Sequence, residues 1–347
     1  MGINNIVWLR NDFRILDNPA LLNATTSGKT ILIYILDSNE STVETLGSAS
    51  RCYLHALITQ FQKDTGAKLN CYEGDPIKIL PEIIEHFKAD AIYWNRAYSP
   101  YAIQRDRSLK ESLKIKVHSY NGSLLWEPWH VLKSDNTPYR VFTPFYRKGC
   151  IPCEREPRTP LPKANLDAIL PGESHLGVEN LNLLEHKPWE NTLISHWEIG
   201  EQGAMQRLTR FCEHGLNGYK DGRNFPNKKN VSMLSADLRW GTLSPNQVYD
   251  MIHNNSDVDT RDKDHFLSEL GWREFSYYLL YHFPKLLTEN LQPKFDRFPW
   301  STNPQFLKAW QQGQTGYPIV DAGMRQMYAT GYMHNRVRMI VGSFLVK

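Results

Sequence analysis

Residues 331–339 form a dense cluster of polar and basic side chains, and an apolar segment follows directly. If the cluster is helical, Asn335, Arg338 and Met339 share one face. Arg336 and Arg338 then point about 200° apart, at ~100° per residue, so the two guanidinium groups face different partners. Two such cations with an amide between them fit a site that holds a phosphate-bearing cofactor against a nucleic acid.

A second set of side chains that could do chemistry lies in the helical run 264–283. At spacings of three and four residues, this run carries Phe266, Glu269, Trp272, Arg273 and Ser276. These side chains fall on one face, where an indole and a carboxylate suit a planar ligand that forms hydrogen bonds. The alternative is a half-buried helix in which Trp272 packs in the core and Glu269 pairs with Arg273. The residues alone leave both interpretations open.

A polar loop at residues 219–226 leads into residues 230–238, which are predicted to begin a helix. The hydroxyl groups of Ser232 and Ser235 stand three residues apart in this segment. Hydroxyls and backbone N–H groups at a helix start can cradle a phosphate. They also form ordinary helix caps without a ligand, so this segment again has two interpretations.

Composition limits the classes of protein that the chain can be. Its 347 residues are enough for two domains, and 41% hydrophobic content is ordinary for a globular protein. No apolar run of about 18 residues and no secretory signal occur, so no membrane segment is predicted.

Five cysteines, an odd number, indicate free thiols in the cytoplasm. Cys150 and Cys153 are the only close pair and lack further ligands at metal spacing, so we predict no metal site. A net charge of +3 confines any nucleic-acid contact to a local patch.

Strand and helix signals alternate in the first third of the chain. Short apolar runs predict strands at residues 6–9, 30–36, 68–72, 91–94 and 117–120, with helices between them at 48–65, 77–88 and 100–114. This alternation predicts an α/β domain with a parallel, Rossmann-like sheet. No Gly-x-Gly-x-x-Gly follows the first strand, which argues against a dehydrogenase.

The second half of the chain is predicted to be helical. Residues 150–189 are rich in proline and polar residues, which indicates a long connection. Ser244 and Asn303 each precede a proline, a pattern typical of a capped helix start, and predict helices at 246–253 and 305–311. The predicted parts are an α/β domain at 1–130, a linker at 131–197 and an all-α domain at 198–347.

Residues 8–18, 140–145, 316–326 and 333–339 are long, specific motifs. Together they resemble the photolyase and cryptochrome family of flavoproteins, and specifically the class I photolyases that repair cyclobutane pyrimidine dimers. The resemblance implies an α/β antenna domain, an all-α flavin-binding domain that holds FAD, and a monomeric enzyme that repairs DNA containing pyrimidine dimers under light. It also implies a second, antenna chromophore of folate or deazaflavin type. Residues 95–103 lack the glutamate of folate-binding members, which leaves the antenna type open.

The resemblance also assigns roles to individual residues. The flavin site is expected to comprise Tyr219, Val231, Ser232, Met233, Leu234, Ser235 and Arg338. The DNA-binding residues are expected to be Arg223, Glu269, Trp272, Arg273, Ser276, Asn335, Arg336 and Met339. Among these, Glu269 and Trp272 belong to the dimer pocket, and Asn335 and Met339 lie between flavin and lesion. Trp300 is expected to carry electrons inward from the surface. We also hypothesise that Glu269 is protonated and donates a hydrogen bond to a thymine carbonyl.

Two features depart from the family pattern. Val231 stands where the family usually has a threonine, which removes one hydroxyl from the phosphate cradle. The chain ends at Lys347, before the segments that in the family lie beneath the isoalloxazine ring and carry the two inner tryptophans of the electron chain. We therefore expect a C-terminally truncated photolyase, in which Arg338 lacks its acidic partner and FAD binds poorly or not at all.

Three functions compete within the family. The first is repair of cyclobutane dimers, the second is blue-light sensing by a cryptochrome without repair activity, and the third is repair of (6-4) lesions. Asn335 favours the first, because plant cryptochromes carry aspartate and (6-4) photolyases carry histidine at this position. His334 is one residue away, and a shift of one residue turns a helical side chain by ~100°.

Overall fold

A five-stranded parallel sheet forms the first part of the computed structural model, which describes residues 4–37, 46–154 and 157–346. Residue 1 and Lys347, the outer ends of the predicted domains, lie outside the described residues. The strands are β1 Asn4–Leu9, β2 Lys29–Asp37, β3 Leu69–Gly74, β4 Ala91–Asn95 and β5 Lys116–Tyr120, in the order β3-β2-β1-β4-β5. All five predicted strands and their parallel pairing are confirmed.

Helices cover both faces of this sheet. They are α1 Pro19–Ser27, α2 Ser48–Thr65, α3 Pro76–Phe87 and α4 Pro100–Ser112. Because side chains alternate along a strand, Val7 and Leu9 enter one core cluster while Ile6 and Trp8 enter the other. Helix α1 was not predicted from the sequence. The Asn18 side chain caps it by accepting from the backbone N–H of Leu21 at 3.1 Å.

The connection between the sheet and the helical half is long and mostly irregular. Between residues 121 and 187, the described part of the chain contains only short helical turns, at Phe142–Pro144, Phe145–Cys150, Leu166–Ala168 and Val178–Leu181. This agrees with a surface connection, whereas the boundaries at residues 130 and 197 stay a prediction.

Helices build the second half of the described chain. They are α5 Pro188–Ser195, α6 Glu201–His214, α7 Tyr219–Gly222, α8 Ser235–Trp240, α9 Pro245–His253, α10 Thr260–His282, α11 Pro304–Gln311, α12 Pro318–Thr330 and α13 Asn335–Val346, with 3₁₀ turns at Pro284–Leu287 and Pro293–Phe295. The caps predicted at Ser244 and Asn303 are confirmed, since each side chain accepts from backbone N–H groups of its helix. The helix start predicted within residues 230–238 is confirmed, since α8 begins at Ser235.

A buried polar network fastens the sheet to the helical half. The Arg14 guanidinium donates to the carbonyl oxygens of Asp17 at 2.9 Å, Gly122 at 2.6 Å and Gly241 at 3.0 Å. The Asp17 carboxylate accepts from the side chains of Arg158 and Ser244. These contacts join the loop after β1 to the connection and to the start of α9. The motif at residues 8–18 therefore holds the sheet and the helical half together and fixes the position of the segment between α8 and α9.

Candidate functional site

A cavity of about 420 Å³ opens between α7, the segment before α8, α10 and the start of α13. All the residues predicted to hold the flavin line it: Tyr219, Val231, Ser232, Met233, Leu234, Ser235 and Arg338. Four residues predicted to bind DNA also line it, namely Arg223, Glu269, Arg273 and Asn335. The structure thus brings the whole predicted flavin set and half of the predicted DNA-binding set to one cavity, with side chains drawn from segments more than a hundred residues apart.

The segment before α8 presents a row of free backbone donors. Met233 has a positive φ of 55°, and Leu234 follows at φ −85° and ψ 2°. Successive residues of left- and right-handed conformation turn their N–H groups towards one point, which forms an anion-binding nest. Among the described hydrogen bonds, none is donated by the backbone N–H groups of residues 231–235. Ser232 lies in the irregular segment, whereas Ser235 is the first residue of α8. The two hydroxyls therefore do not lie three residues apart on one helix.

The two arginines of α13 face different partners, as the helical pattern predicts. Arg338 lines the cavity, and its Nη2 donates to the carbonyl oxygen of Met333 at 3.4 Å. Arg336 turns the other way, where its Nε donates to Asn224 Oδ1 at 2.8 Å. Within the described residues neither guanidinium has a carboxylate within ion-pair distance. Both are therefore available to an anionic ligand.

Glu269 forms an ion pair with Arg223 at the rim of the cavity. Arg223 is only 5% exposed, and its guanidinium lies over the ring of Tyr219 at 5.3 Å. The expected contact of Arg223 with a DNA strand is therefore not open in this structure, because the guanidinium is turned inward and neutralised. The hypothesis that Glu269 is protonated and donates to a thymine carbonyl stays a prediction.

The alternative in which Glu269 pairs with Arg273 is wrong. Arg273 instead donates to Glu274 Oε1 at 2.7 Å, and its expected contact with DNA stays a prediction. Glu274 also accepts from the backbone N–H of Leu125 at 2.8 Å, so it ties α10 to the connection. Burial raises the pKa of Glu274 to about 7, despite the opposing effect of the Arg273 charge.

Trp272 lies on the exposed side of α10 and not in the core, so that alternative is also wrong. It is 48% exposed, and one face of its indole stacks on Phe142, with ring centroids 3.8 Å apart and planes 12° apart. Ser276 is exposed beside it, and its hydroxyl donates to the Trp272 carbonyl oxygen at 3.0 Å. Trp272 does not line the cavity but stands one helical turn from Glu269 at the rim.

Two predicted site residues lie away from the cavity. Met339 is exposed, and its sulfur contacts Arg336 Nη1 at 3.4 Å, while its expected position between flavin and lesion stays a prediction. Trp300 is 64% exposed in the loop before α11, with Phe298 as its ring neighbour at 4.6 Å. That location agrees with a surface position, while its electron-carrying role stays a prediction.

A second cavity of about 460 Å³, which the sequence did not reveal, lies at the carboxyl ends of β1, β2 and β4. The sheet order reverses between β1 and β4, and ligands of open α/β sheets bind at such a switch point. Trp8 lines this cavity, and its indole N–H is buried and without a partner among the described residues. Arg10 and Arg105 lie over the Trp8 ring at 5.0 and 4.7 Å. The only signal in the sequence was the position of these residues at or beyond strand ends.

The two cavities share a wall. Leu238, Arg239, Arg273 and Tyr277 line both of them. No group of three or more His, Cys, Asp or Glu side chains in the described residues is placed to hold a metal ion. None of the helices described here combines the length and apolar character needed to cross a bilayer.

Comparison with known families gives two matches. The family model described as DNA photolyase matches residues 5–164, and the model described as FAD binding domain of DNA photolyase matches residues 266–347. The deoxyribodipyrimidine photo-lyase of Agrobacterium fabrum is 40% identical over 352 residues, which cover 99% of this chain and 72% of that protein. Cryptochrome-2 of Arabidopsis thaliana is 34% identical over 367 residues, which cover 100% of this chain and 60% of that protein.

Solved structures are similar as well. A bacterial class III photolyase from Agrobacterium tumefaciens superposes with a TM-score of 0.90 at 37% identity, covering 99% of this chain and 73% of its own. An archaeal photolyase from Sulfolobus tokodaii, solved with two FAD molecules, superposes with a TM-score of 0.79 at 26% identity, covering 99% of this chain and 74% of its own. The expected class I assignment is not confirmed by these comparisons.

Proposed function

This chain belongs to the photolyase and cryptochrome family, and from that premise we propose that it repairs cyclobutane pyrimidine dimers in DNA by light-driven electron transfer from reduced FAD. One observation carries the proposal. A single cavity joins an anion-binding segment and Arg338 to a rim that carries Glu269, Arg223 and Asn335. A phosphate-bearing cofactor and a nucleotide can therefore meet there.

The residues present fit FAD. The free N–H groups of residues 231–235 and the hydroxyls of Ser232 and Ser235 suit a pyrophosphate, and Arg338 adds a positive charge. Leu234 and Leu270 supply apolar lining for a planar ring system. When bound, reduced FAD supplies the electron that opens the dimer under light and then recovers it.

The rim residues are proposed to receive the lesion. A dimer inside a duplex cannot reach the cavity, and photolyases are among the enzymes that extrude their target nucleotides. The exposed Trp272 indole offers a surface on which a base can stack. Asn335 begins α13 at the cavity edge, so its amide can bridge cofactor and lesion. Among the described residues, the Arg336 side chain bonds to Asn224 and Met339 and to no carboxylate, so it can contact a phosphate.

We propose that the second cavity holds the antenna chromophore. The unpaired Trp8 N–H and the aromatic lining suit a planar molecule that accepts a hydrogen bond, while Arg10 and Arg105 are already paired with Asp106 and Asp37. The shared wall keeps such a molecule near the first cavity. The second FAD of the Sulfolobus tokodaii photolyase is described as a light-harvesting cofactor, so flavin joins folate and deazaflavin as candidates for this chain. The absorption spectrum of the purified protein distinguishes the three.

Further expectations are proposals of the same kind. We propose that Trp300 passes electrons inward from a reductant in solution, which its exposure supports. We also propose a monomer that acts in the cytoplasm, and the five cysteines, all free thiols, support a reducing compartment. Gel filtration tests the first point, and a fluorescent fusion in cells tests the second.

The test of repair uses an oligonucleotide with one thymine dimer, exposed to blue light with protein, FAD and a reductant. We expect restored thymines in the light and none in the dark. The alternative is a cryptochrome-type sensor, which the match to Cryptochrome-2 favours. If the protein binds flavin and dimer DNA yet restores no thymine, that alternative replaces repair.

A further inference from the structure

His265 touches the ion pair at the cavity rim, and nothing in the proposed function uses it. Its Nε2 lies 3.3 Å from Nη1 of Arg223. A guanidinium can only donate, so Nε2 must accept and the ring proton must sit on Nδ1. Arg223 is therefore held from one side by Glu269, from another by His265, and from above by the Tyr219 ring.

These contacts keep the guanidinium of Arg223 away from solvent. Arg223 is buried, whereas Arg336 beside it is half-buried and Arg261 is exposed. An arginine turned inward cannot reach the phosphates of an ordinary duplex that lies on the surface. It can meet only a nucleotide that enters the cavity.

We propose that His265 is a specificity-determining residue that holds Arg223 inside the rim, so that Arg223 is withheld from undamaged DNA and reserved for an extruded nucleotide. This inference rests on the proposed function for the identity of that nucleotide. The restraint itself is a property of the free protein and is testable without light or flavin chemistry.

Acid should release the restraint. Burial and then the Arg223 charge lower the pKa of His265, so the ring is neutral at pH 7 and accepts the hydrogen bond. The charged groups that face it are Arg223, Glu269, Lys220 and Arg336, of which only Glu269 opposes this shift. Below its pKa, protonated His265 becomes a donor and a positive neighbour, and Arg223 loses this partner.

The salt dependence of binding to undamaged duplex DNA, measured in the dark, tests the proposal. Each phosphate that a cation neutralises adds about 0.9 to the slope of log K against log salt. We expect His265→Leu to steepen the slope by about 0.9 at pH 7.5 and to bind undamaged DNA more tightly. His265→Gln retains an acceptor and should match the wild type. His214→Leu, the same change at an exposed histidine, is the control.

Arg223 must be the cause of any change. The double variant Arg223→Gln/His265→Leu should return to the slope of Arg223→Gln alone, and a steeper slope that persists without Arg223 overturns the proposal. Lowering the pH until the His265 ring takes up a proton, followed in its ¹H–¹⁵N spectra, should steepen the slope of the wild type more than that of His265→Gln. An unchanged slope in folded His265→Leu also overturns it.

A direct measurement covers the case in which His265→Leu fails to fold. Long-range ¹H–¹⁵N spectra of the wild type at pH 7.5 should show His265 with its proton on Nδ1, and Arg223→Gln should shift the proton towards Nε2. A proton on Nε2 in the wild type contradicts the proposal. Because no dimer is involved, these outcomes are separate from success or failure of the repair assay.

Discussion

Substitution of Trp272 by alanine removes the stacking surface at the rim, and the structure sets the size of the effect. Phe142 already covers one face of the indole at 3.8 Å, so only the other face can receive a base. Stacking of one base on an aromatic side chain contributes about 1–3 kcal/mol. We therefore expect Trp272→Ala to weaken binding of dimer-containing DNA about five- to 150-fold.

The assay is fluorescence anisotropy of two labelled duplexes that differ only in one thymine dimer. Trp272→Ala should weaken binding of the dimer duplex and leave the undamaged duplex within about twofold, because no base is extruded from it. Trp129→Ala is the matched control, since Trp129 is 39% exposed and lines neither cavity. Equal weakening of both duplexes, or no change for the dimer duplex, refutes the reasoning.

Three further predictions follow from individual side chains. Glu269→Gln should retain more repair than Glu269→Ala in the oligonucleotide assay, because an amide still donates to a thymine carbonyl, and equal losses count against this role. Asp17→Ala strands a guanidinium and a buried hydroxyl, so urea denaturation should show a loss of about 2–4 kcal/mol in the free energy of unfolding. Asp17→Asn, which tolerates the φ of 54° and keeps an acceptor oxygen, should lose less, and an equal loss shows that the stabilisation requires the carboxylate charge. The raised pKa of Glu274 means that the folded protein keeps a proton that the unfolded chain releases between pH 4.5 and about 7. The free energy of unfolding from this group should therefore fall by about 3 kcal/mol as pH rises through that window, and Glu274→Gln should lack this fall in denaturation series from pH 4.5 to 8.

The sheet and most of the capped helices were predictable because their signals are local. Apolar runs mark each strand, and a capping side chain before a proline marks Ser244 and Asn303. Helix α1 was not predicted because it is short and ends in two threonines and a serine, which have a low helix propensity.

The ion-pair partners of the site residues could not be predicted from the spacing of those residues along the sequence. Glu269 and Arg273 stand four residues apart on one helix, yet Glu269 pairs with Arg223 and Arg273 pairs with its neighbour Glu274. The Arg223 side chain comes from the turn after α7, 46 positions away in the chain, and a local pattern carries no information on such a contact. The positive φ of Met233, which shapes the anion-binding segment, left no signal either, because methionine rarely adopts it.

The second cavity could not be predicted either, because residues from distant segments form it. Its lining residues come from the ends of three strands and from α8 and α10, and each looks ordinary in its own segment. Asn335, in contrast, carried a signal in the motif around it, and it lines the first cavity at the start of α13, while its role there stays a prediction.

The central claim is that flavin and dimer occupy one cavity, and the fluorescence of bound, fully reduced FAD tests it most directly. Transfer of an electron to a dimer in contact with the flavin competes with emission. We expect a dimer-containing oligonucleotide to quench the fluorescence of reduced FAD in the wild type, whereas an undamaged oligonucleotide of the same sequence should not. Unchanged fluorescence when the dimer-containing oligonucleotide is demonstrably bound would contradict the account.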